Sequence, residues 1–360
     1  MDLKNSMILA NMMSQKEEIM YATIKGSLTE SPEGVFSGFS LGSYLLTQQE
    51  IGNKPFELFT KINLTNTNLL SPIFIGASNP SLTFHIEGSK LKMQIGNGTS
   101  WVSSIYTGVT TLYANTDYYV KLVFDGIKFI GYLSSDSANW NKEVEWVNTI
   151  SVLPTYYLKI GNDRLSSVYY LRGSIDLNNS YIKLGSTKYN LQAVVGYTVV
   201  GSPTIVDGVV SGFSGANYLK LDNVPQKIEF VFKFTTSSNI TSRQVVISSE
   251  RLIEISVWDN YIKTWNFQSR QTVSLFSIQA NTTYWGKEKI TSTTKTFSIS
   301  IDGINYGNDI TIDDNSGTGT NTIRFGTHIG NLGYNFLGSI DMNENWIKKD
   351  GKLWFNGQQA

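Results

Sequence analysis

Apolar and polar residues alternate along most of this chain. Ile228, Phe230, Phe232 and Phe234 are separated by Glu229, Val231 and Lys233, and Phe297, Ile299 and Ile301 by Ser298 and Ser300. Val120, Leu122 and Phe124 repeat the pattern, and Asp125-Gly126 then turns the chain into Ile127 to Tyr132. A period of two sends successive side chains to opposite faces of a strand, and Asp-Gly or Asn-Gly between two such runs marks an antiparallel hairpin. Beyond residue 20 no apolar stripe at helical spacing occurs. The first 20 residues read differently. Leu3, Met7, Ile8 and Ala10 to Met12 fall on one side of a short helix, either docked on the domain that follows or serving attachment or oligomerisation.

The chain also repeats itself. Gly34-Val35-Phe36-Ser37-Gly38-Phe39-Ser40-Leu41-Gly42-Ser43-Tyr44-Leu45 recurs as Gly208-Val209-Val210-Ser211-Gly212-Phe213-Ser214-Gly215-Ala216-Asn217-Tyr218-Leu219, with eight of twelve positions identical. Phe56 to Lys61 then matches Ile228 to Lys233, Ala114 to Tyr119 matches Ala280 to Trp285, and Gly173 to Asn178 matches Gly338 to Asn343. The anchors keep their order while the spacing between copies shrinks slowly, as loop deletions allow. The period is too long for a solenoid. Two similar domains follow, 21–193 and 197–360, each of ~165 residues and all-β, which for many short strands means a β-sandwich or jelly roll.

Composition removes several functions. Lys+Arg and Asp+Glu both number 29, so net charge is zero, and no basic excess marks a nucleic-acid or polybasic membrane binder. With no Cys, disulfides, thiolate catalysis and Cys-ligated metals are excluded. His85 and His328 are the only histidines, too few for a His-rich metal site, and a Ser–His–Asp triad would need one of them. No apolar run approaches the ~18 residues of a membrane helix. Met1 to Met20 lacks the basic-then-apolar order of a signal peptide, because Asp2 precedes Lys4 and polar residues from Asn11 to Glu18 break the run. The expectation is therefore no signal peptide and no membrane insertion.

The opening Val35-Phe36-Ser37-Gly38-Phe39, the central Tyr132-Leu133-Ser134-Ser135-Asp136 to Trp140 and the closing Gly173-Ser174-Ile175-Asp176 resemble the concanavalin A-like, laminin-G-like jelly roll. The second copy carries its own versions in Ser300 to Tyr306 and Phe336 to Asp341. The resemblance implies two tandem jelly rolls whose last strand lies beside the first. The Tyr-, Asn-, Ser- and Thr-rich style resembles domains of bacteriophage tail, baseplate and virion-surface proteins, which implies a structural or adhesive role, often with carbohydrate binding. Fold alone does not set function.

Catalytic residues are not evident. Related glucanases place alternating carboxylates on one strand, a few ångströms apart across the sugar. Here Glu143-Val144-Glu145, and Glu250 with Glu254, lack that alternation and do not recur between copies, so they read as solvated charges. Asp176 and Asp341, with Glu57 and Glu229, sit inside repeat anchors and read as turn or cross-strand hydrogen-bonding groups. Calcium is the one ion the loops leave open, with Asp163, Asp313 and Asp314 as candidate oxygen donors, and no other cofactor is expected. Ser316-Gly317-Thr318-Gly319 lacks the Lys of a phosphate-binding loop.

Aromatic residues carry the candidate chemistry, because a ring can stack on the apolar face of a sugar while amides and carboxylates fix its hydroxyls. Trp140 pairs with Tyr306 between copies, Tyr119 with Trp285, Tyr181 with Trp346 and Tyr189 with Trp354, and such shared positions read as packing. Trp101, Trp146, Trp258 and Trp265 have no aromatic counterpart. Trp101 follows a turn-rich stretch, and Trp258 and Trp265 flank a hairpin tip at Asp259-Asn260, so Trp101, Trp258, Trp265, Asp259 and Asn260 are the candidate ligand contacts. The reading is a non-enzymatic virion protein of a phage tail, baseplate or capsid surface, assembled in the host cytoplasm. It would be homo-oligomeric, contact other virion subunits and bind a host-surface glycan, with no nucleic-acid partner. The rivals are a purely structural decoration protein, whose tryptophans would lie in subunit interfaces, and a polysaccharide-active enzyme, which needs two carboxylates facing across a groove.

Overall fold

The computed structural model describes residues 18–359 except 32–33, 41, 53, 78–79, 151–152, 163–168, 250–251, 267–270, 308, 314–320 and 331–332. Among the described residues the only helix is a single 3-10 turn, Met342–Glu344, and the remaining regular structure is strand. The chain divides into two compact units, Met1–Ala193 and Val194–Ala360.

In the first unit one sheet runs Thr29–Glu30, Val35–Ser37, Gly173–Leu184, Phe56–Leu64, Asp117–Phe124, Lys128–Ser134, Asn141–Val147, each antiparallel to its neighbour. A second runs Glu18–Lys25, Tyr44–Thr47, Leu158–Ile160, Ser71–Gly76, Leu82–Glu87, Lys90–Ile95, Tyr106–Thr107. Phe56, Leu58, Thr60, Ile62 and Leu64 turn inward while the residues between them turn outward. The inward faces of both sheets share one core, with Gly131 of one pressed against the Phe84 ring of the other. That is a two-layered β-sandwich.

The second unit repeats the arrangement. Thr204–Val206, Val209–Ser211, Ser339–Asp341, Ile228–Thr235, Thr283–Ile290, Thr294–Ser300 and Ile310–Asp313 form one layer, with Trp346–Lys349 also pairing along Ile228–Thr235. Tyr218–Val224, Asn321–Phe325, Gln244–Ser249, Glu254–Trp258, Tyr261–Asn266 and Gln271–Ser277 form the other. Phe230 of the first layer meets Phe325 of the second edge-on, 6.1 Å between centroids.

The repeat is preserved residue by residue. Val35 and Phe36 pair with Asp176 and Ile175, and Val209 and Val210 pair with Asp341 and Ile340, so opening and closing anchors are neighbours in both units. Gly161 and Gly326 share a φ of +85°, and a side chain on either would collide with the ring of Phe39 or Phe213 respectively. The short turns match the sequence cues: Asp125 accepts the N–H groups of Ile127 and Lys128 at 2.7 Å each. Asp259 and Asn260 have φ of 53° and 63°, the left-handed pair of a two-residue hairpin turn.

One expectation changes. The N-terminal helix was placed over residues 1–20, but Glu18, Ile19 and Met20 belong to the strand Glu18–Lys25, while residues 1–17 lie outside the described residues. Met20 and Ala22 alternate into the core and the strand pairs with Tyr44–Thr47, whereas Leu3 to Met12, which carry the helical spacing, lie outside the described residues.

Candidate functional site

The outward face of the sheet containing Phe56–Leu64, and of its counterpart containing Ile228–Thr235, carries a cluster of rings. In the first unit Phe59 pairs across the ladder with Lys121 on one side and Tyr181 on the other, and Tyr119 pairs with Lys61. The Phe59 ring stacks on Tyr181 at 4.8 Å and Tyr119 at 6.1 Å, and meets Trp140 edge-on at 5.8 Å. Lys121 Nζ lies 4.2 Å above the Trp140 ring, and the Tyr181 hydroxyl donates to Glu57. Burial, with that hydrogen bond, raises the Tyr181 phenol above the ordinary tyrosine value.

The second unit has the same register with different side chains. Val231 pairs with Lys287 and Trp346, and Trp285 pairs with Lys233. Val231 therefore stands where Phe59 stands. Around it Trp285, Tyr306, Trp346, Lys287, Asp302, Ile304 and Glu344 enclose an open pocket of about 370 Å³, which is within the size range of small-molecule sites. Trp346 pairs with Val231 and Trp285 lies two residues along the opposite neighbouring strand, so the two are roughly 12 Å apart along the backbone diagonal, two strand spacings across and two residues along. The cations are mostly matched: Lys233 reaches Asp341 at 2.9 Å and Lys287 reaches Glu229 at 3.4 Å. Burial, with the charges of Asp302 and Glu344, raises the Tyr306 phenol, which keeps its proton as a donor.

One loop places the third ring in both units. In the second, Ile304 and Asn305 donate their N–H groups to Asp302 Oδ1 at 2.8 Å, Ser300 Oγ reaches the same oxygen at 2.7 Å, and the Asn305 amide holds Oδ2 at 2.7 Å. In the first, Asp136 is held alike by Ala138, Asn139 and Ser134. The N–H of Asn139 and of Asn305, with the other donors, hold both carboxyls well below the usual range. Trp140 and Tyr306 directly follow these clamped asparagines. Gly303, with φ +75°, lets its loop lie against the Trp285 ring.

Three of the shared aromatic pairs, Trp140/Tyr306, Tyr119/Trp285 and Tyr181/Trp346, thus line the outer face rather than the core, which corrects the packing reading. Strand parity carried the signal: Val120, Leu122 and Phe124 point inward, so Tyr119 must point outward. Tyr189 and Trp354 do pack against the cores.

The residues singled out from sequence form no single site. Trp101 belongs to the first unit, 37 % exposed and bridged to Gly96, whereas Trp258 and Trp265 belong to the second. Trp258 is at the hairpin tip beside Asp259 and Asn260, paired with Tyr261, but Trp265 is at the far end of that strand, paired with Thr272. Lys263 Nζ lies 4.3 Å over the Trp258 ring and 3.0 Å from Asp259, so one face of that ring is taken. Trp146 is buried against Phe129. Asp163 and Asp314 lie outside the described residues, and Asp313 is exposed at a strand end. Among the described residues no group of three or more acids and histidines is arranged to hold a metal ion.

Two acids expected to be solvated are not. Glu143 is buried, and its carboxylate accepts the N–H groups of Val109 and Thr110 at 2.8 and 2.9 Å, closing a loop. Glu254 is buried between Arg243 at 2.6 Å and His328 at 3.4 Å. Burial raises its pKa, but the bonds from His328 and Arg243 outweigh that and leave it lowered. Glu145 stays at the surface, held near 2 by Lys128 and Lys142. Glu250 lies outside the described residues.

No family model and no curated protein matches the chain. Solved structures similar to it include domains LG4-5 of the mouse laminin α1 chain, 12% identical, TM-score 0.33, covering 96% of this chain and 95% of that one. A carbohydrate binding module from Bacillus subtilis is 11% identical, TM-score 0.33, covering 47% of this chain and 99% of its own. The binding domain of botulinum neurotoxin serotype C1 is 12% identical, TM-score 0.33, covering 89% and 93%.

Proposed function

We propose that this chain is a non-enzymatic, glycan-binding protein built of two laminin-G-like jelly rolls in tandem, and that the second unit binds a neutral sugar ring in the pocket floored by Val231. The observation that carries the proposal is the open space enclosed by Trp285, Tyr306 and Trp346 beside Lys287, Asp302 and Glu344. Two indoles and a phenol offer apolar ring faces, and Lys287, Glu344 and the Tyr306 hydroxyl offer donors and acceptors to sugar hydroxyls. Lys233 and Lys287 already face Asp341 and Glu229, and Asp302 and Glu344 add only negative charge, so no cationic excess calls for an anionic ligand.

Asp302, one of the acids that line the pocket, does not favour hydrolysis. A glycosidase needs one carboxyl that keeps its proton near neutral pH. Asp302 is driven the other way by its own loop, and its oxygens are spent on Ser300, Ile304 and Asn305.

The test is titration of the intact, multivalently displayed chain against cellohexaose, maltohexaose, chitohexaose and bacterial wall polysaccharides. Multivalency makes weak single-site binding visible. Trp285→Ala and Trp346→Ala should each weaken binding about tenfold or more, ~1.4–3 kcal/mol, while Trp101→Ala and Trp258→Ala leave it within about twofold, ~0.4 kcal/mol. Binding unchanged in both pocket variants removes the proposal. We further propose, on the resemblance of its Tyr-, Asn- and Ser-rich repeats to virion-surface domains, that the chain is an oligomeric component of a phage particle. Its absence from purified particles by mass spectrometry would refute that.

A further inference from the structure

We infer that the residue at position 231, and its counterpart at position 59, decides whether each unit's aromatic face is open, so that the first unit holds the same kind of site closed by the ring of Phe59. The inference rests on the reading of the Val231 pocket as a glycan site. Its support is the comparison of two faces that share register, loop and ring positions. Phe59 and Val231 each pair with a lysine on one side and an aromatic residue on the other. In the first unit the added ring lies within 4.8 to 6.1 Å of Tyr181, Trp140 and Tyr119, in the space between them. In the second, a β-branched methyl pair leaves that space as a pocket.

A linked exchange on the same rung accompanies the plug. The first unit has Tyr181, whose hydroxyl occupies Glu57, and there Lys121 lies 4.2 Å over Trp140. The second has Trp346, which has no hydroxyl, and there Glu229 instead draws Lys287 to 3.4 Å, leaving it 6.0 Å from the Tyr306 ring. The closed face fills the space between its rings with Phe59. The open face also has a cation over each indole, Lys233 at 4.9 Å over Trp285 and Lys348 at 4.7 Å over Trp346, but leaves the space between the rings as the pocket.

The experiment titrates the intact chain with cellohexaose, maltohexaose and chitohexaose by calorimetry and follows the oligosaccharide that binds. One equivalent should bind the wild type. Val231→Phe should lower affinity at least tenfold, and Phe59→Val should raise the stoichiometry to two. The double variant Val231→Phe/Phe59→Val should bind one equivalent again, now lost on Trp140→Ala rather than Tyr306→Ala. Phe59→Leu, a smaller change in volume, serves if Phe59→Val does not fold. Binding that survives Val231→Phe but is lost in Trp285→Ala overturns the plug and leaves the site. Binding that survives Trp285→Ala and Trp346→Ala overturns the site itself. A folded Phe59→Val chain that still binds one equivalent overturns the closed site in the first unit.

Discussion

The strands Phe56–Leu64 and Ile228–Thr235 hold equivalent places in the two units and differ in where their rings point. The first sends Phe56, Leu58, Thr60 and Ile62 inward and Phe59 outward. The second sends Phe230, Phe232 and Phe234 inward and Val231 toward the pocket. Thr60, fully buried, bonds Ser180 Oγ at 2.6 Å in the first unit's core, whereas its counterpart Phe232 packs against Phe230, Phe234 and Phe297 at 5.2 to 6.0 Å in the second unit's core. Gly286 lies directly against the Phe232 ring and makes room for it. The ladder therefore fixes where side chains point, and parity along a single strand decides whether aromatic volume builds the core or fills the surface.

The most direct way to break this comparison is to remove core rings. Phe232→Ala should cost ~3–5 kcal/mol, because a fully buried ring leaves a cavity that Gly286 cannot fill. Thr60→Ala removes the bond to Ser180 and a longer one to the Lys61 carbonyl, and should cost ~1–3 kcal/mol. Urea unfolding of the intact chain, followed by tryptophan fluorescence, checks both; equal losses would mean that the two cores do not differ as their rings suggest.

The next largest difference is acid sensitivity. Between the two units His85 stands where Ser256 stands, each on the rung after an equivalent inward pair, Phe74 with Phe84 and Ile247 with Ile255. Burial holds His85 near pKa 4, with Glu87 raising it and Lys92 lowering it, and those two are themselves paired at 2.7 Å. The unfolded chain binds a proton there below pH ~6.5 and the folded chain does not until about 4, so stability is full above ~6.5 and falls as pH drops toward 4, by ~3 kcal/mol. Glu254 of the second unit has a lowered pKa, so the stability it contributes is present above the ordinary glutamate value of 4.5 and is lost only as pH falls through its folded pKa. Between pH 6.5 and 4.5, denaturation should therefore weaken the first unit more than the second. His85→Gln should flatten that difference, and a slope that persists in the variant would assign it elsewhere.

Much of this was legible in the chain. Alternation from Ile228 to Phe234 gave strand and facing together, and the opening and closing anchors mark ladder contacts, such as Val35 with Asp176 and Val209 with Asp341. The strand at Met20 was hidden, because its pairing with Tyr44–Thr47 is non-local. The pocket was hidden for a different reason. A residue shared by two copies signals only that its position matters, and Tyr119 and Trp285 matter on the outer face. Glu143 and Glu254 looked solvated because their partners, Val109, Thr110, Arg243 and His328, come from sequence distances that no local pattern connects.

The smallest expected effect concerns the loop that both units share. Asp302 lies in the exposed turn and makes no core contact, so Asp302→Ala should leave the core intact. What it removes is the clamp on Ile304 and Asn305 that fixes the residue after them, Tyr306. A loosened ring must be ordered again when ligand binds, which lowers affinity without removing a contact surface. The loss should be a few-fold, below that of Trp285→Ala. Asp136→Ala, the counterpart beside Trp140, should leave binding unchanged, because Phe59 closes that face. Equal losses from both variants would show that the first unit's face takes part in binding despite its plug.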